Sequence, residues 1–325
     1  MIKRTIYFGS PYYLSFKDGN ILAKPTFEEK AELGSSFAED QSLIRTSGDK
    51  YLQRSNKAKA IPVEDIGVLV IDSFGVTISQ HLLTKLIEQN VAVVICNESH
   101  HPNGLILNLD GNSVQSEKFR SQIGATLPLK KQLWQQTVAS KILNQAMLLK
   151  ERGIETGNMM KWAKTVKSGD STNLEARASA YYWKKLLRPE LGFFRDRFGD
   201  PPNNLLNYVY AILRAMVARS LTGSGLLPTL GIHHRNKYNA YCLADDIMEP
   251  YRPFADKIVC NIVDSQSDVF ELDRNLKREL LSVTTADVVM KGRRSPLMVA
   301  LTRTTSSLAR CFEKKSRNIV YPTLH

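Results

Sequence analysis

Asn203-Asn204-Leu205-Leu206-Asn207-Tyr208-Val209-Tyr210-Ala211-Ile212-Leu213-Arg214-Ala215-Met216-Val217 opens a stretch, residues 203–222, with a clear helical period. Leu205, Leu206, Val209, Ile212, Leu213, Met216 and Val217 leave it apolar over most of its surface. A helix of that kind must be enclosed by other elements, so it is the centre of a helical domain. The same period runs on both sides of it. Leu133, Trp134, Val138, Ile142, Ala146 and Leu149 make one stripe, and residues 173–188, 239–249 and 268–281 predict three more helices.

Before about residue 113 the pattern is different. Thr5-Ile6-Tyr7-Phe8 and Tyr12-Tyr13-Leu14-Ser15-Phe16 are aromatic and β-branched runs of strand type. Asp18-Gly19-Asn20 then predicts a hairpin back into Ile21-Leu22, because Gly and Asn tolerate positive φ. Residues 25–60 are polar and show no period. Ile66-Gly67-Val68-Leu69-Val70-Ile71 is a continuous apolar run, the mark of a strand covered on both faces. Ser79 can cap a helix carrying Leu82, Leu83, Leu86 and Ile87, and residues 91–96 and 104–109 predict two further strands. The expected fold class is therefore α+β. A small β-rich domain (1–112) precedes a larger all-α domain (113–325), with no internal repeat and no heptad run.

The chain has 325 residues, 43% of them hydrophobic, enough for a real core, which excludes disorder as the main state. No apolar run approaches the roughly 18–20 residues needed to span a bilayer. The first charged residues are followed by no apolar signal-like region, so a cytoplasmic location is expected. Cys96, Cys242, Cys260 and Cys311 fit no zinc motif and are too sparse for a disulfide framework. The formal net charge of +12 points to a polyanionic partner, or else to a basic protein that is merely soluble. Residues 291–325 hold Lys291, Arg293, Arg294, Arg303, Arg310, Lys314, Lys315 and Arg317 against Glu313 alone. That cluster suits a phosphate backbone, or else is a solvated, frayed tail.

No phosphate-cradling glycine loop is present, and no Ser/His/Asp or Cys/His constellation can be argued from local motifs. Three segments carry the acids and imidazoles of interest. Asn173, read as an N-cap, puts Glu175 in a first helical turn, sharing a face with Ser179 and Tyr182 among alanines. Such a glutamate marks either a ligand site or a helix-dipole partner. Gly225-Leu226-Leu227-Pro228-Thr229-Leu230-Gly231-Ile232-His233-His234 is a turn-rich approach ending in two histidines. Extended backbone would point these two opposite ways, so that only one enters a site. Asp246 and Glu249 are an i,i+3 pair of like charges, a cost that a cation would offset; a solvated acidic helix end is the alternative. Asp256 lies near the same face, as an indirect contributor or a partner for Arg252. His100 and His101 fit a loop role, and Trp134, Trp162 and Trp183 fit helix packing.

Taken together, Ile61–Val68, Lys141-Ile142-Leu143-Asn144-Gln145-Ala146, Asn173–Ala178, Asn204–Tyr208, Gly225–His234 and Asp246–Pro253 resemble a known family. It is the universal CRISPR-associated spacer-acquisition integrase and endonuclease, most closely its type II branch. The resemblance runs from about residue 3 to residue 281. It implies a divalent metal, Mg²⁺ or Mn²⁺, held by Glu175, His234 and Glu249, the catalytic set. His234 rather than His233 stands at the family's distance after the second glycine, and Glu249 is the type II form of the third ligand. Asp246 matches a second family acid, an accessory ligand or a holder of water. An oxygen-rich set with one imidazole suits such hard cations.

The implied reaction is attack of a 3′-hydroxyl of a short foreign duplex on a phosphodiester at the edge of a CRISPR repeat, with hydrolysis when water replaces that hydroxyl. The implied partners are double-stranded DNA and a second copy of the chain, with the β-rich domain dimerising. The resemblance also implies a small ferredoxin-like acquisition protein that completes a heterohexamer, with type II effector and accessory proteins as further partners. Asn207, Tyr208, Arg293, Arg294, Lys314 and Lys315 are the DNA-contact candidates. A repair nuclease without integration and a non-catalytic DNA-binding scaffold are the competing readings.

Overall fold

The computed structural model describes residues 3–26, 58–187, 192–265 and 269–324. They form two compact units, Met1–Asn108 and Leu109–His325. Most of the polar 25–60 stretch lies outside the described residues. The first unit follows its β-type sequence. β1 (Arg4–Phe8), β5 (Ile66–Ile71), β7 (Ala92–Cys96) and β8 (Pro102–Ile106) form one sheet in the order β1-β5-β7-β8. The first three strands are parallel and β8 is antiparallel. β5 is buried nearly throughout, as its unbroken apolar run requires. A second sheet joins β2 (Tyr12–Lys17), β3 (Asn20–Pro25), β4 (Lys59–Pro62) and β6 (Thr77–Ile78) in the order β4-β3-β2-β6.

The β2–β3 hairpin turns on Asp18 and Gly19, both at positive φ, and Asn20 already pairs with Lys17. The loop is thus two residues, one shorter than its punctuation predicts. Ser79 caps α1 (Gln80–Glu88) by accepting from the Leu82 amide.

The second unit is helical, with one exception. Long α3 (Leu127–Glu151) buries the expected apolar stripe and also Thr137, Lys141, Asn144 and Gln145. α2 (Gln115–Ile123) and α4 (Met159–Thr165) lie on either side of it in sequence. α5 (Leu174–Leu186) and α6 (Asn203–Gly223) follow, and α6 is buried on nearly all sides, as the opening stretch predicts. After α7 (Cys242–Met248), Pro250 does not stop the chain. Glu249–Tyr251 make one 3₁₀ turn that runs into α8 (Arg252–Ser265), where Pro253 sits in a first turn that needs no amide donor. α9 (Arg274–Leu281) completes the predicted set. Among the described residues no helix is long and apolar enough to cross a membrane.

The exception to an all-α unit, and to a frayed basic tail, is the C-terminal stretch. It folds as a hairpin of β9 (Asp287–Met290) and β10 (Arg293–Pro296) and a 16-residue helix, α10 (Leu297–Phe312). Its apolar face, not visible in a count of charges, docks it on α6: Thr305 Oγ1 donates to the Ser220 carbonyl at 3.0 Å. Tyr251 and Thr304 hydroxyls meet at 2.6 Å. The last residues return to α3, where buried Asn144 donates to the carbonyls of Pro250 (2.7 Å) and Pro322 (3.1 Å) and accepts from the Leu324 amide (3.1 Å). One amide side chain thereby joins the C-terminus to the turn that carries Glu249.

Candidate active site

Glu175 stands in the first turn of α5, but Asn173 is not its cap. Asn173 adopts the left-handed region without a side-chain cap bond. Asp170 does the capping instead, accepting from the amides of Leu174 and Glu175 at 2.9 Å each. The capped turn fixes the backbone from which the Glu175 side chain departs.

The histidines sit on the bent loop between α6 and α7. The chain bends at Ile232 and His233, so the two rings do not point opposite ways. His233 stacks on Trp134 at 4.1 Å between centroids, and His234 meets the same indole edge-on at 5.8 Å. Trp134 is thus a packing residue, and what it packs is the histidine loop. Gln122, on α2, ties down the loop's start by bonding to Leu227 in both directions and donating to the Leu230 carbonyl.

Asp246 organises the end of the loop. Fully buried, it accepts from the amides of Ile232 (2.7 Å), His233 (2.9 Å) and His234 (3.2 Å) and pairs with His234 Nδ1 at 2.6 Å. Gly231 permits this approach, since a Cβ there would lie 2.8 Å from Asp246 Oδ2 and 2.4 Å from the His234 carbonyl oxygen. With its lone pairs so engaged, Asp246 positions His234. A carboxylate only accepts, so Nδ1 carries the proton and the neutral ring's lone pair is on Nε2. The bond to Asp246 outweighs burial and raises the proton affinity of His234. His233, where burial outweighs the pull of Asp246, shifts the other way.

The third segment brings in residues that spacing did not single out. Lys141 Nζ, on α3, lies 2.5 Å from Glu175 Oε1 and 2.6 Å from Glu249 Oε2. Arg252 Nε lies 2.9 Å from Glu249 Oε1. Burial alone would raise the Glu249 carboxyl, but Arg252 and Lys141 bring it down to about 2. Burial would weaken the Lys141 ammonium, yet Glu249 and Glu175 outweigh it and raise its proton affinity. Glu249 Oε2 is buried, and neither it nor Arg252 Nε has an aligned hydrogen-bond partner despite these short ion-pair distances. His234 is near enough for its charge to act on Glu249 as well. Among the described residues no three His, Cys, Asp or Glu side chains are gathered closely enough to hold a metal ion alone. The cation on which the two glutamates converge is the Lys141 ammonium. The sequence signal for it was a lysine inside the apolar stripe of α3, seven residues after Trp134.

Asp256 is not a partner for Arg252 in hydrogen bonding. Its carboxylate, 1% exposed, accepts from Tyr182 Oη at 2.7 Å and from Tyr210 Oη, bracing α5, α6 and α8. Burial pushes its carboxyl up to about 6 against the tyrosines and Arg252. The folded state therefore keeps a proton that the unfolded state releases above an ordinary aspartate value. Stability should fall as pH rises from about 4 to about 6, by roughly 3 kcal/mol from this group. Asp256→Asn should remove that slope; urea melts across the window, unchanged by the substitution, would refute it.

The DNA-contact candidates divide. Tyr208 is fully buried in α6 and cannot reach DNA from there. Asn207 is engaged internally, accepting from Arg195 at 2.8 Å and donating to the Arg197 carbonyl at 2.7 Å. Burial of this helical face, not legible from a local motif, sets both. Arg293, Arg294, Lys314 and Lys315 are exposed, with Lys315 paired to Glu313 at 2.9 Å.

Residues 37–291 match the family model for the CRISPR associated protein Cas1. The chain is 34% identical over 292 residues to the CRISPR-associated endonuclease Cas1 of Neisseria meningitidis serogroup C (strain 8013), covering 87% of this chain and 95% of that one. Its fold is similar to a casposase bound to integration product, with a TM-score of 0.72 at 17% identity, covering 98% of this chain and 92% of that one. It is also similar to a chain of a Cas6-RT-Cas1–Cas2 complex, with a TM-score of 0.69 at 18% identity, covering 100% of this chain and 37% of that one.

Proposed function

This chain belongs to the CRISPR-associated Cas1 family, and from that premise we propose that it is a metal-dependent DNA integrase and endonuclease of spacer acquisition, of the type II branch. The observation that carries the reading is the convergence of Glu175 and Glu249 on one cation, with His234 fixed beside them by Asp246. Glu175, His234 and Glu249 would hold Mg²⁺ or Mn²⁺. One feature fits such an ion: the oxygens of both glutamates already converge on a single cation, at 2.5 and 2.6 Å, so a hard dication would meet the same pair of carboxylates. When bound, the metal supplies charge stabilisation at the scissile phosphate and a more acidic attacking hydroxyl.

The protein's own contributions are separable. Asp246 holds the Nδ1 proton of His234, which keeps the Nε2 lone pair in the site. Asp170 fixes the turn bearing Glu175, and Asn144 fixes the turn bearing Glu249. Lys141 keeps the two carboxylates together, since side by side and uncompensated they would repel. Arg252 holds the far oxygen of Glu249, so Oε2 faces Lys141.

Joining two ends to two strands needs two active sites. We assign these to homodimers bridged by a small ferredoxin-like acquisition protein into a heterohexamer on duplex DNA, in the cytoplasm. The similarity to a chain of a complex with Cas2 supports a protein partner. The test supplies short duplex DNA with free 3′-hydroxyls, a repeat-bearing plasmid and the acquisition partner, with Mn²⁺ or with chelator. Joined products that depend on metal are expected. Cleavage alone would assign a repair nuclease, and full function in Glu175→Ala and His234→Ala variants would assign a scaffold.

A further inference from the structure

A two-residue hairpin turn of type I′ requires positive φ at both central positions, and Lys291 (φ 50°) and Gly292 (φ 77°) supply it between β9 and β10. The turn holds Lys291 out at the hairpin tip. Arg293 follows at the start of β10, while Arg294, next along the strand, is not part of the same wall. On α10, Arg303, Ser306 and Arg310 recur at three- and four-residue spacing and so share one exposed face, opposite buried Leu301, Thr304, Leu308 and Cys311. Hairpin and helix enclose a groove of about 690 Å³ with Val320 in its lining.

The chemistry of this groove is one-sided. Lys291, Arg293, Arg303 and Arg310 line it, and no acid does. Among the described residues none of the four is in an ion pair. Like charges facing one cavity repel, a cost that an anion occupying the cavity would offset. No aromatic ring lines the groove, so nothing in it can stack on a base. The two helix arginines are seven residues apart, about 10 Å along the axis. That length spans about three steps of a nucleic-acid strand rising 3.4 Å each. All of the lining except Met290 and Lys291 follows residue 291, where the match to the family model ends.

We propose that the groove between the β9–β10 hairpin and α10 binds the phosphodiester backbone of duplex DNA, independently of sequence, through Lys291, Arg293, Arg303 and Arg310. This deepens the integrase reading and rests on it for the identity of the polyanion. The groove adds a hold on DNA that uses no member of the Glu175, His234 and Glu249 set.

Counterion release makes the proposal quantitative. Four phosphates neutralised contribute about −3.6 to the slope of log K against log salt, or roughly a hundredfold in affinity between 50 and 200 mM salt. The experiment uses the full chain with chelator present and a labelled 30-base-pair duplex of arbitrary sequence. Binding is measured by anisotropy across that salt range. Replacing all four residues by glutamine should reduce the slope by 3 to 4, equally for two unrelated duplexes. Two double variants, Lys291→Gln/Arg293→Gln and Arg303→Gln/Arg310→Gln, should each reduce it by about 2, which keeps the test open should the fourfold variant not fold.

An unchanged slope in the folded variants overturns the proposal, as does a loss confined to one duplex sequence. Unchanged DNA binding with lost binding of poly-glutamate also overturns it, and assigns the groove to an acidic polypeptide. Strand transfer at saturating DNA separates the two readings. A wild-type protein that binds DNA through the groove yet never joins ends would defeat the integrase reading and leave the groove standing.

Discussion

Glu249→Ala should abolish metal-dependent strand transfer and destabilise the second unit by about 3–5 kcal/mol, the usual consequence of removing one partner from a buried ion pair. Glu249 lies between Lys141 and Arg252, and its removal leaves two cations facing each other with no anion between them. Lys141 would keep only Glu175, whose side chain is more exposed. Glu249→Gln, of nearly the same shape, should fold better but remain inactive, because the amide brings no charge to a metal and presents an N–H₂ to two cationic donors.

The pH dependence provides a second reading of the same pair. The Glu249 carboxyl titrates near 2 in the folded state, below its ordinary value of 4.5. The stability it contributes is therefore fully present above about pH 4.5 and is lost as pH falls toward 2. It amounts to roughly 3 kcal/mol. The gap between wild type and Glu249→Gln in urea melts should narrow over that interval. A gap that stayed constant from pH 7 to pH 3 would show that the ion pairs do not set the stability of the site.

His234→Ala is expected to separate catalysis from binding. The imidazole is 44% exposed, and it is held by one bond to Asp246 and an edge contact with Trp134, so folding should survive its loss. If His234 ligates the metal as proposed, its loss removes several kcal/mol of transition-state stabilisation, about 10²–10⁴ in rate. DNA affinity should stay within about twofold, because the exposed cations of the C-terminal hairpin and α10 are untouched. Asp246→Asn should act through the same ring with less effect, about 10–100-fold, since His234 remains but its orientation and tautomer are no longer enforced. Parallel loss of affinity and rate in His234→Ala would show that binding and chemistry share one set of groups.

Strand and helix periods made the two-part organisation legible, because each element's buried face is written in residues two or three to four apart. The long apolar stripe of α3 and the enclosed α6 both occur where they were expected. The histidine loop was legible as a turn-rich segment, but its bend was not. An extended backbone would oppose the two rings, whereas Asp246 pulls three successive amides onto one carboxylate and curves the chain. Asn173 was a fair cap by residue type, and Asp170 displaced it because a preceding turn brings its carboxylate to the helix amides. In the basic C-terminal stretch the charges dominate the sequence, and the apolar face that docks α10 is dispersed among them at helical spacing.

From the order of residues alone come the β-then-α arrangement, the family, and the nomination of Glu175, His234 and Glu249, because local period and motif need no knowledge of distant neighbours. Only the three-dimensional packing could assign Lys141 to the two glutamates, Asp246 to His234 as its orienting group, Asp256 to two tyrosines, and four C-terminal cations to a common groove. Those pairings join positions far apart in the chain, and charge interacts through space with whatever the fold brings near, a quantity that no spacing along the backbone encodes.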